Sequence, residues 1–199
     1  MNLRGNQQVD VFDPLAQYYA AMRKPLPRFD VISSSCIPLP FHQLLVHECD
    51  MTPTLEAFHE QPLILRVLRK RINGEVLERT VTLVGDRDGK AVEFGAIRIN
   101  LNVFDPQAQT QICQCRVPLG SILRDQAIDH CGIPTAFIRV EPDELMACAL
   151  GLEGGWRRLG LYGRHNELYD VKGTPLAEVV EVLPPVYRQD GADQATEEL

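Results

Sequence analysis

Residues 63–84 contain two β-rich runs, LILRVLRKRI and EVLERTVTLV, joined by Asn73-Gly74. Asn-Gly between such runs is a strong hairpin signal, because the tight turn needs positive φ at both central residues. A hairpin commits its strands to antiparallel pairing. Asp86-Arg87-Asp88-Gly89 then leads into AVEFGAIRINLNVF as a third strand, and Asp105-Pro106 into TQICQCRV as a fourth. RRLGLYGRHNELYDV and PLAEVVEVLP form a closing hairpin around Lys172-Gly173. Hairpins in place of strand–helix–strand alternation predict an α+β fold with a single antiparallel sheet and helices packed on one side.

The helices announce themselves by caps and prolines. Asp13-Pro14 opens LAQYYAAMRK, which Pro25 stops. Four prolines between 25 and 40 make that stretch an extended connection, followed by the short helical piece FHQLLVHE. Thr52-Pro53 opens TLEAFHE; Pro118-Leu119-Gly120 opens SILRDQAIDHCG, ended at Gly132; and Glu141-Pro142 precedes DELMACALG. The chain divides into an N-terminal helix and extended arm (1–40), a main domain (41–187) and a polar, acidic tail (188–199) expected to be disordered.

Composition excludes several classes. A length of 199 residues suits one domain. Net charge of −7 argues against a nucleic-acid partner. No apolar run approaches the ~18 residues of a membrane span, and MNLRGNQQVDVFDP lacks the apolar core of a secretory signal, so a cytoplasmic protein is expected. Six cysteines are scattered, and Cys113-x-Cys115 lacks zinc-knuckle spacing, so they read as buried or idle thiols with no metal. Arginine outnumbers lysine 16 to 4, which suits an anionic ligand or simply a solvated arginine surface.

Two charges fall on apolar strand faces. Strand side chains alternate, which groups Arg79 with Leu77, Val81 and Leu83, and Glu181 with Ala177, Val179 and Leu183. A two-residue Asn73-Gly74 turn puts Leu68 opposite Arg79, and Arg66 opposite Val81 on the same face. An inward Arg and an inward Glu in one sheet mark a site for a polar ligand, or a structural Arg79–Glu181 ion pair, or plain exposure on an open face. Other lures are weaker. The Gly151–Gly155 stretch lacks the strand-then-helix context of a phosphate loop, no serine sits in a nucleophile elbow, and His165 suits a hydrogen-bonding or surface role.

Four segments, in order, resemble the chorismate pyruvate-lyase (4-hydroxybenzoate synthase) family: LLVHECDMTPTLEAF, ERTVTLVGDRDGKAVEFGAI, RVPLGSIL and GLYGRHNELYDVKGTPLAEVVEVLPP. The match runs from about residue 42 to residue 185. An Arg common in that family just after the third-strand glycine is Ala96 here.

The resemblance implies a lyase that converts chorismate to 4-hydroxybenzoate and pyruvate without cofactor or metal, feeding ubiquinone or plastoquinone synthesis, with product inhibition. It places ligand contacts on Met51, Arg79, Leu119 and Glu181. Arg79 would clamp a carboxylate; Glu181, with Glu178 as the competing register, would meet the ring hydroxyl and assist proton movement. Helical flaps around Met51 and after Leu119 would close over the pocket. The alternative within the same fold is a non-catalytic sensor domain that binds an aromatic acid. Sensors of that type follow a winged-helix domain, and the first 40 residues carry no helix-turn-helix pattern.

Overall fold

The computed structural model describes residues 11–186. The tail expected to be disordered lies outside the described residues. Seven strands form one sheet, antiparallel throughout, in the order β1-β5-β6-β7-β4-β3-β2. They are β1 (Phe29–Ile32), β2 (Leu63–Asn73), β3 (Val76–Gly85), β4 (Ala91–Asn100), β5 (His130–Val140), β6 (Leu161–Asp170) and β7 (Pro175–Leu183). The α+β class and the single antiparallel sheet are as the hairpin signals predict.

The first hairpin turns one residue later than expected. Asn73 pairs with Val76, so the turn is Gly74-Glu75, with Gly74 at φ +58°. Arg79 therefore faces Lys70, not Leu68. A bulge between Val67 and Arg69 then sets Val81 opposite Val67 and Arg66 opposite Thr82. Arg66 thus leaves the face of Arg79, because an extra residue in one strand inverts the alternation beyond it.

The helices are α1 (Leu15–Ala21), α2 (Phe41–Leu45), α3 (Met51–His59), α4 (Pro106–Gln114), α5 (Leu119–Asp125) and α6 (Glu144–Leu150). TQICQCRV, expected as a strand, lies mostly in α4. Asp105 Oδ1 accepts from the Ala108 backbone N–H at 2.8 Å with Pro106 at the first helical position; these start signals outweigh a short alternating pattern. The helix expected to run to Gly132 ends at Asp125, and His130 already begins β5. β5 admits Pro134 beside a bulge between Pro134 and Ala136, one of the few places where a strand tolerates proline.

Both faces of the sheet are covered. On one face α5 buries Leu119, Ile122 and Leu123, one helical stripe, against Leu77, Ile97, Ile99 and Leu168. Beside them Leu44, Leu45, Met51 and Leu55 of α2 and α3 pack on Leu65, Val81, Leu83 and Leu183. Each such aliphatic side chain contributes roughly 1.5–3 kcal/mol on burial. These helices form the expected layer over the sheet, and α1 and α6 add a second one opposite, on Phe94, Ala96, Val180 and Val182. All six cysteines are free; Cys113 and Cys115 are half-buried and Cys36, Cys49, Cys131 and Cys148 are exposed, so of the two alternatives, buried or idle thiols, full burial does not hold.

Candidate functional site

The register of the central strands builds the floor of a pocket. Val81, Gly95, Glu181 and Arg164 form one row across β3, β4, β7 and β6, and Arg79, Ile97, Val179 and Asn166 form the next. All of these residues line one cavity of about 70 Å³. At ~10–15 Å³ per water, that holds about five waters, the space of a small organic acid.

Met51, Arg79, Leu119 and Glu181, which the sequence placed far apart, all line this cavity. Met51 begins α3 and Leu119 begins α5, so the two helices roof it. Gly120 allows their approach, because a Cβ there would stand 3.2 Å from Asp50 Oδ2. Asp50 in turn accepts from His130 Nε2 at 2.9 Å, and His130 Nδ1 lies 2.9 Å from the Ile128 carbonyl. Burial lowers the His130 pKa, but those two acceptors outweigh it and the net direction is upward.

Arg79 is 3% exposed, yet its Nε and Nη1 have no hydrogen-bond partner among the described residues. Burial pushes its guanidinium pKa down, and the Cys115 thiol beside it holds it up in part. Guanidinium stays charged under such shifts. It is therefore a buried cation whose Nε and Nη1 are unfilled among the described residues.

Glu181 is not its partner. Glu181 Oε2 accepts from Arg164 Nε at 2.7 Å. Arg164, 1% exposed, also donates through Nη1 to the carbonyls of Leu45 at 3.3 Å and His47 at 2.9 Å, and through Nη2 to Cys49 at 3.4 Å. One arginine thus neutralises Glu181 and ties the α2–α3 connection to the sheet. The Arg79–Glu181 ion pair considered from the sequence is absent among the described residues. Glu178 lies on the opposite face, where Arg98 Nη1 reaches it at 2.6 Å and His165 Nε2 at 2.9 Å. Arg98 there also bonds Glu78 and Asp13.

Sequence reasoning missed Glu93, Arg164 and Asn166 as pocket residues. Glu93 is 4% exposed and its Oε2 has no partner among the described residues; the same holds for Asn166 Oδ1. Burial first, and the neighbouring Glu181 carboxylate second, push the Glu93 pKa well above the ordinary value, with Arg164 opposing. Its signal was present: Glu93 alternates with Gly95, Ile97 and Ile99, the same charge-on-an-apolar-face pattern that marked Arg79.

No protein-family model matches the chain, and no curated protein matches it in sequence. Solved structures do match. PhnF from Mycobacterium smegmatis is 14% identical over 67% of this chain and 63% of that one, with a TM-score of 0.52. The chain therefore spans less than two thirds of full-length PhnF. The separately solved effector domain of PhnF is 14% identical over 68% of this chain and 88% of that one, with a TM-score of 0.51. The ligand-binding domain of a GntR-family transcriptional regulator from Bordetella bronchiseptica is similar at 14% identity and a TM-score of 0.46. The resemblance read from the sequence thus holds as a relationship of fold. The lyase expectation is corrected by the fold match to PhnF and to its separately solved effector domain. With it go 4-hydroxybenzoate and pyruvate as products, the place in quinone synthesis and product inhibition. Glu181, expected to help move a proton, is held by Arg164.

Proposed function

We propose that this domain binds a small organic acid in the Arg79 pocket without converting it, as a sensor-type ligand-binding domain. One observation carries the reading: a buried arginine with unfilled donors in a cavity walled by Met51, Leu119, Val81, Ile97 and Val179. An unpartnered buried donor costs ~1–3 kcal/mol, more when charged, which a carboxylate offsets by accepting two parallel bonds. The effector domain of PhnF, which shares the fold, supports a binding role.

The test is calorimetric titration with benzoate and with hexanoate. At least one acid should bind, and Arg79→Met should weaken it at least tenfold. The same substitution should leave the free protein as stable as the wild type or more so, since it removes an unpaired buried charge. A folded protein that binds neither acid, or whose binding survives Arg79→Met, overturns the reading.

A further inference from the structure

We infer that the outer edge of β2 is a docking surface for an acidic, extended segment of a partner protein, one that alternates acidic and apolar residues and joins the sheet as an eighth strand. The inference does not depend on the Arg79 pocket.

The backbone supplies the first ground. β2 ends the strand order, so β3 is its one neighbour among the described strands. Residues 64–73 make no backbone hydrogen bond outside that pairing among the described residues. Such an edge presents a row of N–H and C=O groups that another strand can complete.

Charge supplies the second. Residues 66–71, RVLRKR, hold four cations and no acid in a chain of net charge −7. Arg66, Arg69, Lys70 and Arg71 form no ion pair among the described residues. Lys70 is turned back to the Cys113 carbonyl of α4. Arg71 stands opposite Glu78 on β3, but Arg98 takes that carboxylate.

Register sorts the run by face. Arg66, Arg69 and Arg71 pair with Thr82, Thr80 and Glu78, on the sheet face away from the Arg79 pocket. Val67, Lys70 and Ile72 pair with Val81, Arg79 and Leu77, on the pocket face. The bulge between Val67 and Arg69 produces this sorting, so β3 meets the three arginines at every second residue. A regular strand on the outer edge meets them at the same interval. Acids at alternate positions then face the arginines, and apolar residues between them face Val67 and Ile72, both exposed. At its Arg66 end the far face opens into a groove of about 690 Å³, where Lys90 adds a cation and Glu153 is the one carboxylate of the lining.

The same features reject other occupants. A second copy of this chain paired antiparallel about Leu68 sets Arg66 opposite Lys70, and paired about Lys70 sets Arg69 opposite Arg71. Like charges directly opposite destabilise a strand pair. A nucleic acid offers phosphates to the arginines, but it carries no peptide ladder to fill the edge and no apolar side chains for Val67 and Ile72. Charges and bulges protect a strand edge from indiscriminate pairing; here they leave an acidic strand as the one that gains by pairing.

The probe is the synthetic peptide acetyl-EVEVEVE-amide, followed by fluorescence anisotropy and by hydrogen exchange of residues 63–73. It should bind and slow exchange in β2 at least fivefold. The block peptide EEEEVVV, of equal composition, and EVEVEVE methylated on its valine or on its glutamate nitrogens separate strand pairing from charge attraction. EEEEVVV and at least one of the two methylated forms should bind at least tenfold more weakly. Arg66→Gln with Arg71→Gln, both at exposed positions, should weaken EVEVEVE at least fivefold while benzoate binding stays within twofold. No binding of EVEVEVE to the folded protein overturns the inference. So does binding of EEEEVVV or of both methylated forms within twofold of it, binding that survives the double substitution, or tighter binding of oligothymidine, which would make the strip a general anion or nucleic-acid surface.

Discussion

Arg164 holds Glu181 at 2.7 Å in a pair whose side chains are 1% and 9% exposed, and the same guanidinium reaches the last carbonyl of α2 and two carbonyls of the α2–α3 connection. Glu181 is thus already paired, while Arg79 keeps Nε and Nη1 without partners among the described residues. Of two arginines on one sheet face, one is fully engaged by the fold and the other is not.

Breaking the Arg164 pair should be costly. Arg164→Met leaves a buried carboxylate uncompensated, a change worth about 3–5 kcal/mol when one member of such a pair is removed. Replacing both members, Arg164→Met with Glu181→Leu, should recover at least half of that loss, because an apolar pair restores packing without a stranded charge. Urea unfolding of the two single variants and the double variant checks it. A double variant no more stable than Arg164→Met alone would place the loss in the carbonyl contacts of the α2–α3 connection.

Glu93 should make stability fall as pH rises. Its folded pKa lies well above the ordinary 4.5, so the folded chain binds a proton that the unfolded chain releases. The stability this contributes is complete below the unfolded value and is lost as pH climbs through the raised folded value. The slope approaches about 1.4 kcal/mol per pH unit within that window. Glu93→Gln should remove it, so that the variant gains on the wild type as pH increases above 5. Unfolding free energies across pH 4.5–8 for both proteins give the comparison; parallel curves would contradict a raised pKa.

Glu178 sits on the far face and should matter for stability alone. Burial pushes its pKa up, but the His165 hydrogen bond and the Arg98 charge outweigh that and set the net shift downward. A depressed carboxylate adds stability above its unfolded pKa and loses it as pH falls through the folded one. Glu178→Gln should therefore cost about 1 kcal/mol at neutral pH, with the gap closing in acid. Ligand affinity should be unchanged within twofold. A tenfold loss of binding would instead mean that β7 carries the opposite face to the pocket.

The sequence alone determined the antiparallel sheet and the inward faces of Arg79 and Glu181. Asn73-Gly74 and Lys172-Gly173 are local turn signals that act over a few residues, and alternation along β3 and β7 is a property of any strand, so Arg79 and Glu181 could be assigned inward without knowing their neighbours. Glu93 obeyed the same rule and was legible, though unread. What lay beyond the sequence was partnership. The sheet order sets β7 between β4 and β6, which brings Arg164 to Glu181 and lines Arg79 up with Asn166. The first of these pairings lies within the closing hairpin, 17 residues apart; the second depends on the β4–β7 pairing, which joins residues roughly 80 positions apart and which no local pattern encodes. The bulge between Val67 and Arg69 moved Arg66 to the other face for the same reason, since only the partner strand reveals an unpaired residue. At 106–114 and 130–140 local signals competed: a capped Asp105-Pro106 overrode alternation, and pairing with β6 carried β5 through Pro134. The tertiary structure decided which charge is cancelled and which is left open, because hydrogen-bond satisfaction is a property of the packed site and not of the strand that supplies each residue.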